Sequence, residues 1–284
     1  MSKGYHRELK KLSQTKNIIS LLPERFRFRV AKKLYDYESE SVVGIDIVAP
    51  LQDDGVVCFI NTKDLIGWKI FFFGEYEGET NRILAKHIKK GDVVIEAGAN
   101  MGSETLLLSG LVGDGHVYAF EPNPYTFDRL KINVSINELR NVSIYEWALG
   151  EKNGEISFNI FPKTFCNPGM SSKYIQMDNT RKIDVIQKTI DSFVQENNVK
   201  KVDFIKMDIQ GGEMDAILGA NDTIAKFMPT IFAEASTHFS QLNELYDKIK
   251  GYGYDIYLIG GNDMELMATV SNIKAGNWLA IKNK

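Results

Sequence analysis

Asp92-Val93-Val94-Ile95-Glu96-Ala97-Gly98-Ala99-Asn100-Met101-Gly102 is the stretch on which the fold turns. Val93, Val94 and Ile95 form an apolar run that closes on Glu96. Gly98 and Gly102 then frame a turn before Ser103–Leu111, a segment with helical character. An apolar run without polar alternation suits a strand buried on both faces. Glycines in a strand-to-helix turn permit positive φ and close approach of a ligand, and the helix behind them offers free N–H groups to a carboxylate. The spacing is G-x-x-x-G, which departs from the G-x-G-x-x-G that cradles a dinucleotide pyrophosphate.

Outward from this turn, strands and helices alternate. Strands are expected at Val93–Glu96, Val117–Glu121, Val142–Glu146, Val202–Asp208, Thr230–Ala235, Asp255–Ile259 and Trp278–Ile281. Helices are expected near Glu79–Ile88, Ser103–Leu111, Pro124–Asn137, Ile190–Asn197, Glu213–Leu218 and Gln241–Gly251. Such alternation predicts an α/β fold, a doubly wound, Rossmann-like, seven-stranded and mostly parallel sheet with an antiparallel closing strand.

Residues 1–75 read differently. Lys10, Lys11, Arg25, Arg27, Arg29, Lys32 and Lys33 accompany apolar residues in two amphipathic helices interrupted at Pro23. They suit a helical arm through which two copies could associate, or else a surface for membranes or anionic glycans. The runs Val43–Val48, Val56–Ile60 and Trp68–Phe73 then predict a small antiparallel prelude. The alternating domain spans 76–284. Within it, 154–181 breaks the alternation and could form an acceptor lid, with Phe161, Phe165 and Tyr174 as stacking surfaces or as anchors to the core.

Of the 284 residues, 44% are apolar and 25% charged, which suits a folded globular chain. A net charge of −3 argues against nucleic acid as a partner. Cys58 and Cys166 are too few for a disulfide framework, and no run is long and apolar enough for a transmembrane helix or a signal-peptide core. A cytoplasmic location is the expectation.

The second half of the signal is Glu121, which ends Val117-Tyr118-Ala119-Phe120 about 20 residues beyond the glycine turn. An acid there can accept hydrogen bonds from both hydroxyls of a ribose. Alternatively it starts the helix behind Pro122-Asn123-Pro124. With the turn, it points to a nucleoside-like ligand that also carries a carboxylate.

Ile95–Gly102, Phe120-Glu121-Pro122, Ala148-Leu149-Gly150 and Lys206–Glu213 resemble, in order and spacing, the motifs of the FkbM-type methyltransferases. The resemblance runs from about Tyr76 to Ala235. It implies S-adenosylmethionine as cofactor and a hydroxyl oxygen of a sugar, glycan or polyketide-like small molecule as acceptor. It also implies that Glu96, Gly98, Asn100, Gly102, Glu121 and Pro122 serve the cofactor, with Trp147 and Ala148 near its adenine; Trp147 could equally be a core aromatic. Glu96 stands where the family usually has aspartate. Asp208-Ile209-Gln210-Gly211-Gly212-Glu213 stands where it typically reads D-x-E-G-x-E, so no role carries over to Gln210.

A methylated alcohol must lose its proton, and the candidate acceptors at the carboxyl edge of the sheet are Asp208 and Glu234, with Glu213 and His238 nearby in sequence. Asp208 is the first choice; it could otherwise cap a turn, and Glu213 could merely favour the positive start of its helix. Asp208, Glu213 and Glu234 could also hold a divalent cation, although nothing in their spacing requires one. Two other readings remain: a nucleotide-dependent oxidoreductase, which lacks its pyrophosphate loop, and a catalytically silent cofactor-binding scaffold.

Overall fold

The computed structural model describes residues 3–51, 55–162, 167–174, 177, 180–235, 242–261 and 263–283. The chain divides into two compact units, Met1–Tyr76 with Lys163–Pro168, and Glu77–Pro162 with Gly169–Lys284.

In the first unit, α1 (Lys3–Ser20) and α2 (Glu24–Leu34) meet at Pro23, and β1 (Asp46–Pro50) pairs antiparallel with β2 (Val57–Asn61). The third expected strand, Trp68–Phe73, is instead part of a helix, α3 (Leu65–Phe73). Asp64 caps it, its side chain accepting from the amides of Ile66 and Gly67, and Gly74 ends it at φ 78°. Apart from Lys69 the segment is apolar and carries neither period, so the cap and the left-handed glycine decide between helix and strand. The reward is an aromatic nest in which Trp68 lies 5.3 Å from Phe72 and 5.1 Å from Tyr37, centroid to centroid.

The second unit runs α4 (Gly78–His87), β3 (Val93–Ala97), α5 (Ser103–Val112), β4 (His116–Phe120), α6 (Pro124–Ile136), β5 (Val142–Tyr145), β6 (Ala148–Leu149), β7 (Gly154–Ile160) and β8 (Arg181–Lys188). It continues with α7 (Ile190–Glu196), β9 (Phe204–Met207), α8 (Glu213–Leu218), α9 (Asn221–Phe227), β10 (Thr230–Ala235), α10 (Leu242–Gly251), β11 (Tyr254–Gly260), β12 (Asp263–Leu266) and β13 (Gly276–Lys282). The main sheet has the order β12-β11-β13-β10-β9-β3-β4-β5. β10, β9, β3, β4 and β5 are parallel and β13 runs antiparallel between β10 and β11. The seven expected strands are present, and β12 adds an eighth as a hairpin on β11.

Both faces of the sheet are covered. Leu84 of α4, Leu108 of α5 and Leu130 of α6 pack against Val94, Val117 and Phe204 on one face. Phe193 of α7, Ile217 of α8, Ile224 of α9 and Leu245 of α10 pack against Ile95, Ile205 and Ala233 on the other. The period of two along each strand produces this division, so Glu96 and Lys206 fall on the α5 side. β6, β7 and β8 form a separate three-stranded sheet, of which β7 lies within the segment 154–181 expected to be a lid and β6 and β8 flank it.

Candidate active site

Parallel register aligns the ends of four adjacent strands. Phe120 pairs with Ala97, Ala97 with Met207, and Met207 with Ala233. The next residue in each strand is Glu121, Gly98, Asp208 and Glu234. These four stand in a row across the carboxyl edge, and strand order reverses between β3 and β9, where open α/β sheets bind ligands.

Gly98 makes the row possible. Its φ is +81°, and a Cβ placed there would lie 1.9 Å from the carbonyl oxygen of Asp208. The turn after β3 and the turn after β9 therefore touch at backbone level, and any larger residue would separate them. Gly102, at φ +91°, faces Leu130 at a distance that leaves no space for a Cβ. No side chain caps the start of α5, so the turn leads into an open helix N-terminus.

Glu121 is buried and accepts from three donors. Oε1 takes the Asn123 amide and the Thr126 hydroxyl, both at 2.9 Å, and Oε2 takes the Asn100 amide at 2.8 Å. The carboxylate thus starts α6 and also clamps the glycine turn, whose Asn100 is held at φ 52°. One carboxylate oxygen can accept two hydrogen bonds, which leaves Oε2 with capacity for another. Burial pushes its pKa up to about 7. Glu121→Gln keeps the volume but sets an amide against a backbone donor, and is expected to cost about 1–3 kcal/mol of stability. Urea unfolding of the ligand-free chain measures this; an unchanged midpoint would remove the clamp.

Beneath the turn lies a buried charge cluster. Lys206 Nζ is 2.7 Å from Glu104 Oε2 and 3.7 Å from Glu96 Oε1, with Lys206 and Glu96 wholly inaccessible. The Thr105 hydroxyl donates to Glu96 Oε2 at 2.6 Å. Burial raises the Glu96 pKa to about 7 against the opposing pull of Lys206. For Lys206 burial favours the neutral amine, but the two carboxylates outweigh it and hold the pKa above the usual lysine value. Glu96 therefore supports the turn from below, through Thr105 and Lys206. The sequence reading passed over Lys206 and Glu104, although a lysine inside Phe204-Ile205-Lys206-Met207 is itself the sign of a buried partner.

At the other end of the row, Gln210 Nε2 donates to Asp208 Oδ1 and to Glu234 Oε2, each at 2.9 Å. The Glu234 pKa is pushed up to about 9, first by the charge of Asp208 and then by burial. Glu213 does not join them: its Oε1 accepts from the Ile209 amide at 3.0 Å and the Gly211 amide at 3.4 Å, so it braces the turn. The expected cation ligands Asp208, Glu213 and Glu234 are thus not assembled. No group of three metal-binding side chains occurs among the described residues. His238 and Phe165 lie outside the described residues.

The segment after Gly169 docks on both turns. Asn123 Nδ2 donates to Ser171 Oγ at 3.1 Å, and Ser172 Oγ donates to the Gln210 carbonyl at 2.8 Å. Gly169 leaves room for the Asn100 side chain, whose Nδ2 would be 2.0 Å from a Cβ. Phe161 is buried, and the Tyr174 hydroxyl donates to Asp215. Trp147, partly buried, packs 4.8 Å from Tyr145 and 6.3 Å from Phe120. Pro122 and Ala148 are buried.

The family model described as "Methyltransferase FkbM domain" matches residues 96–256. The chain belongs to this family. The match begins at Glu96 and takes in the whole aligned row. Among relatives, the hexuronic acid methyltransferase AglP of Haloferax volcanii is 29% identical over 52% of this chain and 58% of its own length. "Methyltransferase 1" of Beauveria bassiana is 26% identical over 45% of this chain and 58% of its own. The 2-O-methyltransferase NoeI of Sinorhizobium fredii is 24% identical over 58% of this chain and 73% of its own. The chain thus spans little more than half of the first two relatives. The crystal structure of methyltransferase FkbM from Methylobacillus flagellatus is 18% identical, with a TM-score of 0.45 over 68% of this chain and 44% of that one. Among the described residues of this FkbM-family chain, no helix is long and apolar enough to cross a membrane.

Proposed function

We propose that this chain is an S-adenosylmethionine-dependent O-methyltransferase acting on a hydroxyl of a sugar, glycan or polyketide-like small molecule. The observation that carries the reading is the row Glu121, Gly98, Asp208 and Glu234, which sets a cofactor-type turn beside a carboxyl pair on one sheet edge. The residues fit the cofactor: Glu121 Oε2 keeps hydrogen-bonding capacity for ribose hydroxyls, and the open start of α5 behind Gly98, Asn100 and Gly102 suits a carboxylate. Trp147 offers a partly exposed aromatic face for adenine, with Pro122 and Ala148 shaping the wall.

When bound, the cofactor supplies a methyl group activated on a sulfonium. This chain's part is to hold donor and acceptor in line, which alone is worth several orders of magnitude, and to take the hydroxyl proton. Asp208, paired with Glu234, is the proton acceptor of this reading. The hexuronic acid on which AglP acts supports a sugar-like acceptor, and the 2-O-methyl transfer of NoeI supports an oxygen acceptor.

Calorimetry with S-adenosylmethionine and S-adenosylhomocysteine tests the cofactor assignment, with NAD as the control. At a hundredfold excess over Kd, ligand is expected to stabilise the fold by about 2.7 kcal/mol, visible as a raised melting temperature. Absence of binding at millimolar cofactor would end the assignment. A mass-spectrometric screen of nucleotide sugars and glycans for methyl transfer then separates an enzyme from a silent scaffold.

A further inference from the structure

We infer that Gln210 is a positioning residue that ties Asp208 and Glu234 into one pair, a role that rests on the reading of this edge as a methyl-transfer site. One amide nitrogen has two hydrogens, and here each goes to a different carboxyl group. The charge of Asp208 beside it keeps Glu234 protonated at neutral pH. An amide never titrates in this range, so the tether is present whatever the charge of the pair.

The backbone is arranged to deliver that amide. Gln210 sits at φ 53°, a left-handed conformation that is costly for a residue with a Cβ. Neighbours on both sides maintain it. Ser172 donates to its carbonyl oxygen, and Glu213 gathers the amides of Ile209 and Gly211 on either side of it. Strain kept in place by three separate contacts, at a residue whose side chain meets two acids, is the pattern of a functional constraint.

The electrostatics make the tether consequential. Asp208 from the turn after β9, Glu77 ahead of α4 and Glu213 of α8 all act on Glu234 with negative charge, while its neighbour across β13 is the neutral Asn277. Asp208 in turn lies within the influence of Glu96, Glu121 and the cation of Lys206. A donor to the Glu234 carboxyl favours its ionised form and so holds its titration down. Gln210→Gly removes the donor while accepting the backbone angle, and Gln210→Glu replaces the donor with a third acid of equal size.

The test is an infrared pH titration of the ligand-free full chain, in which the Glu234 proton is identified as the carboxylic-acid band that Glu234→Gln abolishes. The wild type is expected to keep this band at neutral pH. Gln210→Gly should move its titration up by about one pH unit, the size expected for one hydrogen bond to a charged group, and Gln210→Glu should move it further. Affinity for S-adenosylhomocysteine should stay within about twofold in Gln210→Gly, and the acid limb of the methyl-transfer profile should shift in parallel. A titration identical in wild type and both folded variants, or no protonated band at neutral pH, overturns the role. If the band moves but no acceptor is ever methylated, the tether stands and the reading of the edge as a methyl-transfer site falls.

Discussion

Asp208→Asn is expected to lower methyl transfer by roughly 10²–10⁴-fold, the usual contribution of a general base, with cofactor affinity changed far less. The substitution is nearly isosteric, and its remaining oxygen can still accept from Gln210 Nε2, which now bonds Asp208 at 2.9 Å. The backbone contact that matters for Gly98 involves the Asp208 carbonyl and is untouched. What disappears is the site where the hydroxyl proton would go. Turnover with the acceptor identified by the glycan screen, and calorimetry with S-adenosylhomocysteine, provide the two readouts. Near-normal turnover would transfer the base role to Glu234 or His238.

Lys206→Met is the second large effect, and it falls on the fold. Removing the cation leaves Glu96 and Glu104 facing each other in a buried site, a loss of about 3–5 kcal/mol for a broken buried pair. The deficit should depend on pH. The Glu96 pKa is already raised from its ordinary 4.5 to about 7, so its burial costs nothing below the ordinary value and the stability is lost as pH rises through the folded one. Without Lys206 the folded value moves higher still while the unfolded value is the same in both chains, so the gap between variant and wild type should be constant from pH 4.5 to about 7 and widen above pH 7. Urea unfolding across that range, with Lys206→Met/Glu104→Gln as a partial rescue, measures it. A gap that is flat with pH would show that packing, and not charge, makes Lys206 matter.

Much of the fold could be read without coordinates because its information is local. Val93–Ile95 and, around Lys206, Phe204–Met207 are short apolar stretches followed by an acid, and Asn123 followed by Pro124 announces a helix start that the structure realises through the Asn123 side chain. Trp68–Phe73 misled because a segment apolar but for Lys69 has no clear period, and its fate hung on Asp64 and Gly74 at its ends. β12 escaped because Asp263–Leu266 is short and mostly exposed, so it is a strand only by virtue of its ladder to β11. Glu213 had looked equally suited to a helix start or a substrate contact, and the contacts its Oε1 makes are to the turn amides of Ile209 and Gly211.

What the chain's order of residues determined by itself is the set of parts: a glycine turn with free amides after it, acids at the ends of predicted strands, and the alternation that makes a doubly wound sheet. Hydrophobic period, glycine torsional freedom and the chemistry of a carboxylate are properties of a residue and its near neighbours. The tertiary structure decided how those parts meet. Only the hydrogen-bond register of β4, β3, β9 and β10 brings Glu121, Gly98, Asp208 and Glu234 into one row. Only packing across the sheet gives Lys206 its partner on α5, and only the turn around Gln210 sets one amide between two acids. All of these contacts but Gln210–Asp208 join residues far apart along the chain, and their energies depend on burial and distance, which local pattern does not encode.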